Sequence, residues 1–397
     1  MNPTFFIKNR KRLVNSLGDG PIIIGGYSQL QRSHDAAFAF EQEANFWYLT
    51  GIESPSWTVI INGDEEYLIA PHVSEIHQIF DGNFSADDAI KTSGVLHVLS
   101  LAEGKAMIKD LAEKNEEVFS LGLDPDASHY DFYENPAPLK LYKELQETFK
   151  TVKDCRKNLA VLRAIKQPEE LHAIRTAINI TIDAFEMAKS SFPTYRHEYE
   201  LEADFTQLFR RRGAKGHAYD PIIAGEKNAC TLHYGKNEDA FIDGSLVLLD
   251  VGARYQGYAA DITRTYAFGE VSDRHKAVHQ AVEEAHHKII DLLQPGVVVK
   301  EYFDKVDRIM LVALNSLGLL KEKNDYRKYF PHSISHGLGI DVHDSLGGPE
   351  TFQPGMVLTV EPGIYIPEEK IGVRIEDDIL ITETGHENLS QRLSTSL

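Results

Sequence analysis

Two glutamates stand inside apolar, strand-like sequence near the end of this 397-residue chain: Glu361 in VLTVEPGIYI and Glu376 in VRIEDDILIT. An ionised carboxylate in such surroundings is costly unless a cation or metal compensates it, so the fold must bring partners to both. Arg374 shares a face with Glu376 by strand alternation and offers it an ion pair. Glu361 has no such neighbour, because no Lys or Arg lies between His343 and Lys370. The same stretch holds His332, His336 and His343, and His336 lies in a glycine-containing segment that permits close backbone approach.

Two more acids stand upstream. SLVLLDVGARYQGYAADITRTYAF reads as two strands joined by a glycine-containing connection. Asp250 ends the first apolar run, and alternation places Asp261, Thr263 and Thr265 on one face of the second. Together, His336 and the carboxylates of Asp250, Asp261, Glu361 and Glu376 form an oxygen-rich set. Such a set suits Mn²⁺, Co²⁺, Zn²⁺ or Fe²⁺ rather than a thiolate-selective site. Two ions roughly 3.5 Å apart can lower the pKa of a shared water and polarise a scissile carbonyl. Each residue is a weak signal alone; their joint occurrence in this order predicts a two-metal hydrolase.

Composition narrows the alternatives. The formal net charge of −19 repels polyanions, and the Arg210–Arg212 run is a short cluster in a helical context, so nucleic acid and anionic membranes are disfavoured as partners. Cys155 and Cys230 give neither a disulfide framework nor zinc-ligand spacing. The start, MNPTFFIKNRKRL, lacks an apolar signal core, and no apolar run approaches transmembrane length. A reduced, cytoplasmic protein is expected.

The length favours two domains. Residues 1–150 read as an α/β domain: FIKNRKRLVNSLG as a helix closed by Gly18, then PIIIGG, FWYLTG, WTVIING and EEYLIA as strands, and residues 136–148 as a helix. Residues 156–397 form the second domain, with a faint internal repeat. In each half a long helix, a proline-containing break and a helix opening at Glu198-Tyr199 or Glu301-Tyr302 precede strand-like segments carrying the polar residues. The pattern suggests two pseudo-symmetric α+β units; chance similarity of two amphipathic helix pairs would produce it too. His275, His279, His286 and His287 fall on an amphipathic helix and read as a solvated face.

These residues resemble the pita-bread metallopeptidases of the aminopeptidase P and prolidase branch. The resemblance covers nearly the whole chain, strongest from Tyr219 to Asn388 and weaker at EQEANFWYLTG. It implies an α+β pita-bread catalytic domain behind a smaller α/β domain, and Asp250, Asp261, His336, Glu361 and Glu376 as ligands of two divalent ions, Mn²⁺ foremost. It also implies that His233 and His343 contact substrate and stabilise the oxyanion, that His332 walls the proline pocket, and that Glu361 shuttles a proton. Arg374 would orient Glu376, while Tyr219 and Tyr365 would line the substrate site. Asp35 and Arg156 match residues that shape the substrate entrance, partly across a subunit interface, so a homodimer or homotetramer is expected. Where the family's entrance carries a Trp, QIFDGNF offers Phe80.

The implied reaction is hydrolysis of an Xaa-Pro bond in proline-containing peptides. A dipeptidase needs a cation for the substrate carboxylate, and the family's dipeptidases carry an Arg between the equivalents of His343 and Glu361. Here that segment, DSLGGPETFQPGMVLTV, has neither Arg nor Lys. The reading is therefore an Xaa-Pro aminopeptidase, with Xaa-Pro dipeptidase as the alternative. A non-catalytic peptide-binding protein of the same fold would have lost ligands, and none is lost.

Overall fold

The computed structural model describes residues 1–123, 133–322 and 324–397. They fall into two compact units, Met1–Leu162 and Arg163–Leu397, with the division inside the helix Arg156–Ala164. In the first unit, the helix Pro3–Leu17 is capped by the Asn2 side chain, which accepts from the Phe5 amide, and closed by Gly18 at φ 81°. A six-stranded mixed sheet follows, in the order His97–Leu99, Glu65–Ile69, Thr58–Asn62, Ile22–Gly25, Glu117–Ser120, Thr151–Asp154. The segment FWYLTG, expected as a strand, is instead part of the helix Ala44–Thr50. Its aromatic residues favour strands in isolation, but the Glu43 carboxylate caps the Phe46 amide at 2.6 Å and Gly51 ends the helix in the left-handed region at φ 69°. Every residue of that helix is buried, so packing overrides propensity.

Cys155 is also buried here, its thiol donating to the Ser120 carbonyl at 3.3 Å. Burial first, then the neighbouring Asp154 charge, pushes that thiol up to about 12. It carries almost no thiolate at pH 8, so the native protein is expected to leave Cys155 unreacted with a disulfide reagent until denaturant is added. Rapid labelling of Cys155 in the folded chain would contradict this.

The second unit repeats one scheme. The helices Pro168–Ser191 and Glu198–Arg211 pack together, as do Asp273–Ile290 and Val299–Ser316. The first pair leads into an antiparallel sheet ordered Ile222–Gly225, Ser245–Val251, Ile262–Phe268. The second leads into Val357–Val360, Asp377–Ile381 and His386–Asn388, with the ribbon Gly363–Ile366 and Ile371–Arg374 inserted. The second half's helix opens at Val299, ahead of Glu301-Tyr302, so the Glu-Tyr opening holds only in the first half. The connection from Val251 to Ile262 is itself a small hairpin, Ala253–Tyr255 with Tyr258–Ala259. The two halves' strands meet at a bridge between Thr263 and Glu376, where the Glu376 amide donates to the Thr263 carbonyl at 3.0 Å.

The histidines of the helix Asp273–Ile290 do not form one solvated face. His279 and His286 are buried and seven residues apart on the packed side, while His287 is exposed and His275 sits at the N-terminal cap beside Ser272. Two turns of helix return a residue to nearly the same azimuth, and burial pushes the His286 imidazole down to about 4, keeping it neutral. No helix among the described residues is long and apolar enough to cross a membrane.

Candidate metal centre

Strand ends position the acids. Asp250 is the penultimate residue of Ser245–Val251 and lies opposite Thr263 in the antiparallel register. Asp261 immediately precedes Ile262–Phe268 rather than standing within it. Glu361, with Pro362, separates Val357–Val360 from Gly363–Ile366, and Glu376 stands between Ile371–Arg374 and Asp377–Ile381. Both glutamates thus interrupt apolar strands where the chain changes sheets. His336 is fixed to Val357–Val360 by its neighbour across the ladder: its amide donates to Thr359 Oγ1 at 3.2 Å, and the Thr359 amide donates to the His336 carbonyl at 2.9 Å.

All five converge on one cleft of about 330 Å³. His336 Nε2 lies 3.5 Å from Asp261 Oδ2 and 3.5 Å from Glu361 Oε1. Ligand atoms of Asp261, His336 and Glu376 all fall within 4.8 Å of one another. The Tyr219 hydroxyl lies 2.6 Å from both Asp250 Oδ1 and Asp261 Oδ1, yet has one proton to give. Asp250, Asp261 and Glu376 are buried, Glu361 and His336 partly so.

This crowding explains the titration behaviour. Burial, then repulsion from Asp261 and Asp250 against the pull of His336 and Arg374, pushes Glu361 up to about 7. Burial and the Asp261 and Glu361 charges drive Glu376 well up, and burial raises Asp250 despite Arg374. Burial opposes the charged form of His336, but the Asp261 and Glu361 carboxylates prevail and raise it to about 9. The four candidate ligand carboxylates, with Asp220 on the same lining, share one fixed cation, Arg374, among the described cleft residues. That excess of negative charge and oxygen donors, with a single imidazole, fits divalent cations.

Arg374 departs from the expected partner. Its Nη2 donates to Asp250 Oδ2 at 2.5 Å and its Nη1 to the Tyr365 hydroxyl at 2.8 Å. Glu376 is reached through Thr263, whose Oγ1 accepts from Arg374 Nε at 3.2 Å and donates to Glu376 Oε2 at 2.6 Å. The strand ends at Arg374, so alternation does not carry through to Glu376. Alternation did place Thr263 beside Asp261, but gave no sign of this relay. Asp378, which sequence reasoning passed over, accepts from the Asp261 amide at 3.1 Å.

His332, His343, His233 and Tyr219 line the same cleft. His332 is committed at both ring nitrogens, Nδ1 to the Ser333 carbonyl at 2.7 Å and Nε2 to the Tyr365 hydroxyl at 2.9 Å. Burial and the Arg374 charge push it down to about 3, so its ring is neutral. His343 packs edge-on against His336, with ring centroids 4.3 Å apart. Burial, then the His336 charge, lowers its pKa. His233 is exposed. Every lining residue belongs to the second unit. In the first unit, Asp35 occupies the exposed turn between Gln31–Ser33 and Ala36–Ala37, and Arg156 donates through Nε and Nη2 to the Gly122 carbonyl. Phe80 is 82% exposed on the short helix Glu75–Asp81.

The profile of metallopeptidase family M24 matches residues 172–383, and that of the aminopeptidase P N-terminal domain matches residues 6–119. The chain is 34% identical to the Xaa-Pro aminopeptidase of Escherichia coli (strain K12), over 97% of this chain and 94% of the relative. It is 31% identical to Xaa-Pro aminopeptidase 3 of Homo sapiens, over 92% and 77% respectively. Among solved structures, aminopeptidase P from E. coli with the inhibitor Pro-Leu superposes with a TM-score of 0.87 at 32% identity, covering 100% of this chain and 96% of that one. Proline aminopeptidase P II from Yersinia pestis gives 0.85 at 32% identity, covering 100% and 98%. A profile match spanning more than half the chain, with relatives aligned almost end to end, makes this protein a member of metallopeptidase family M24, with its pita-bread fold and a separate N-terminal domain.

Proposed function

We propose that this protein is an Xaa-Pro aminopeptidase, removing the residue before proline from the N-terminus of peptides. One observation carries the choice over a dipeptidase. Among the described residues, Arg374 is the sole Lys or Arg lining the cleft, and Asp250, Tyr365 and Thr263 already occupy its guanidinium. A dipeptide's carboxylate would meet no uncommitted cation there, whereas a longer peptide needs none.

Asp250, Asp261, His336, Glu361 and Glu376 would hold two divalent ions, Mn²⁺ in our reading. When bound, such ions supply Lewis acidity to the scissile carbonyl and lower the pKa of water. The chain's own groups do the rest. His332, with both nitrogens spent, presents its ring face as a wall for the proline. His343, neutral and facing the cleft, donates a hydrogen bond to the carbonyl oxygen as it gains charge. Glu361 takes a proton from the attacking water and returns it to the proline nitrogen, which must be protonated to leave. Arg374 holds Asp250 and Tyr365 in place. Tyr219 does the same for Asp250 and Asp261. Asp35 and Arg156 we assign to the substrate entrance of a homodimer or homotetramer. The free Cys155 and Cys230 suit a cytoplasmic setting.

The decisive comparison is release of alanine from Ala-Pro-Ala and from Ala-Pro by Mn²⁺-loaded protein. The tripeptide is expected to be cut far better; efficient cleavage of the dipeptide alone would overturn the reading. His343→Ala is expected to keep its metal content and lose on the order of 10²-fold in kcat, measured by steady-state kinetics beside metal analysis.

A further inference from the structure

Outside the cleft, a buried charge cluster closes the loop that carries His343. Asp344 and Lys166 are almost wholly buried, with side chains 3% and 1% exposed. Asp344 Oδ2 faces Lys166 Nζ at 3.4 Å, and its Oδ1 faces Arg163 Nη2 at 2.9 Å and accepts from the Ser345 amide at 2.8 Å. Lys166 Nζ also donates to the Arg163 carbonyl at 2.6 Å, and Arg163 reaches on to Asp341 at 2.6 Å. The Asp344 amide donates to the Gly337 carbonyl at 2.8 Å, so residues 337–344 form a closed loop between His336 and the salt bridge. Gly339 is required inside it: a Cβ there would lie 1.9 Å from Asp344 Oδ2 and 2.9 Å from Lys166 Nζ.

The two histidines at the loop's ends are held differently. His336 is tied to Val357–Val360 through its own backbone and Thr359, independently of the salt bridge. His343 makes no hydrogen bond through its ring among the described residues; its ring packs edge-on against His336 and its backbone adjoins the buried Asp344. We propose that Lys166 and Arg163, acting through Asp344, are positioning residues for His343, setting turnover without setting metal affinity. The proposal rests on the reading above that His343 contacts substrate. A charge pair withdrawn from water is conformationally demanding, because either partner alone is strongly destabilising. It therefore fixes the loop base to a single arrangement, and small displacements of a catalytic group are expensive in rate.

The test uses the full-length protein and the variants Asp344→Asn, the charge-neutral pair Lys166→Met/Asp344→Asn, His343→Ala, and Asp344→Asn/His343→Ala. The paired substitution serves if Asp344→Asn alone fails to fold, since it strands no buried lysine charge; it is then also combined with His343→Ala. The clamp variants are expected to lose on the order of ten- to a hundredfold in kcat on Ala-Pro-Ala, with KM and calorimetric Mn²⁺ affinity within about twofold of the parent. Added to His343→Ala they should lower kcat no further, because the group they position is already gone. Full additivity, unchanged kcat, or an equal loss of Mn²⁺ affinity would each overturn the proposal. So would normal turnover by His343→Ala, which would remove the clamp's target. A parent protein that binds Mn²⁺ yet cuts no Xaa-Pro peptide would instead defeat the aminopeptidase reading.

Discussion

Asp261→Asn is expected to abolish turnover and Mn²⁺ binding while raising the melting temperature of the metal-free protein. The two effects have opposite signs because Asp261 sits among carboxylates that repel it when no cation is present. Its charge is among the causes that raise Glu361 and Glu376, so removing it relieves the cluster. With metal the balance reverses. A ligand at a hundredfold excess over its Kd stabilises by about 2.7 kcal/mol, on the order of 5–10 °C for a unit of this size. Differential scanning fluorimetry with chelator and with Mn²⁺ measures both arms. The parent should show the metal-dependent rise and the variant none. Retained activity, or an undiminished Mn²⁺ shift, would remove Asp261 from the ligand set.

The second large effect is on stability. Arg264 is fully buried and shares out its guanidinium completely. Its Nη1 donates to the Thr263 and Glu376 carbonyls at 2.9 and 2.7 Å, its Nη2 to Asp377 Oδ1 at 2.7 Å and the Leu393 carbonyl at 2.8 Å, and its Nε to the Ser394 carbonyl at 3.0 Å. Arg264→Met leaves those carbonyls unsatisfied and Asp377 charged, buried and uncompensated. Loss of one partner of a buried pair costs about 3–5 kcal/mol, so the melting temperature should fall by roughly 10 °C or more. Adding Asp377→Asn should recover part of the loss, since the stranded charge disappears while the Asn388 and backbone contacts persist in part. Chemical denaturation of the single and double variants decides it. A change within about 1 kcal/mol for Arg264→Met would mean that the network is not a net support. Because this side chain pins the backbone of both Thr263 and Glu376, the single variant should also weaken Mn²⁺ binding.

What was legible in the sequence was residue type at positions where burial is demanding. An acid inside an apolar run needs a partner wherever it lies, which made Glu361 and Glu376 conspicuous and drew Asp250, Asp261 and His336 into one set. Local rules also reached some helix ends: Gly18 closes Pro3–Leu17 as expected, although the helix starts three residues ahead of the FIKNRKRLVNSLG run under the Asn2 cap, and the helix Pro136–Thr148 begins and ends where the pattern placed it. FWYLTG failed because a short apolar, aromatic run has no periodicity of its own, and the cap from Glu43 and burial on every side decided for helix.

Partnership was decided by the tertiary structure alone. Arg374 was assigned to Glu376 by spacing, but the strand ends between them and the guanidinium faces Asp250. His279 and His286 belong to the packed side of a helix whose composition suggested water on that face. Nothing local connects Lys166 with Asp344, 178 residues away, or Arg264 with Ser394 at 130. The sequence by itself determined which groups must find compensation, because the penalty for burying charge belongs to the residue. The fold determined which group compensates which, because that depends on where strands end and which backbones approach closely enough.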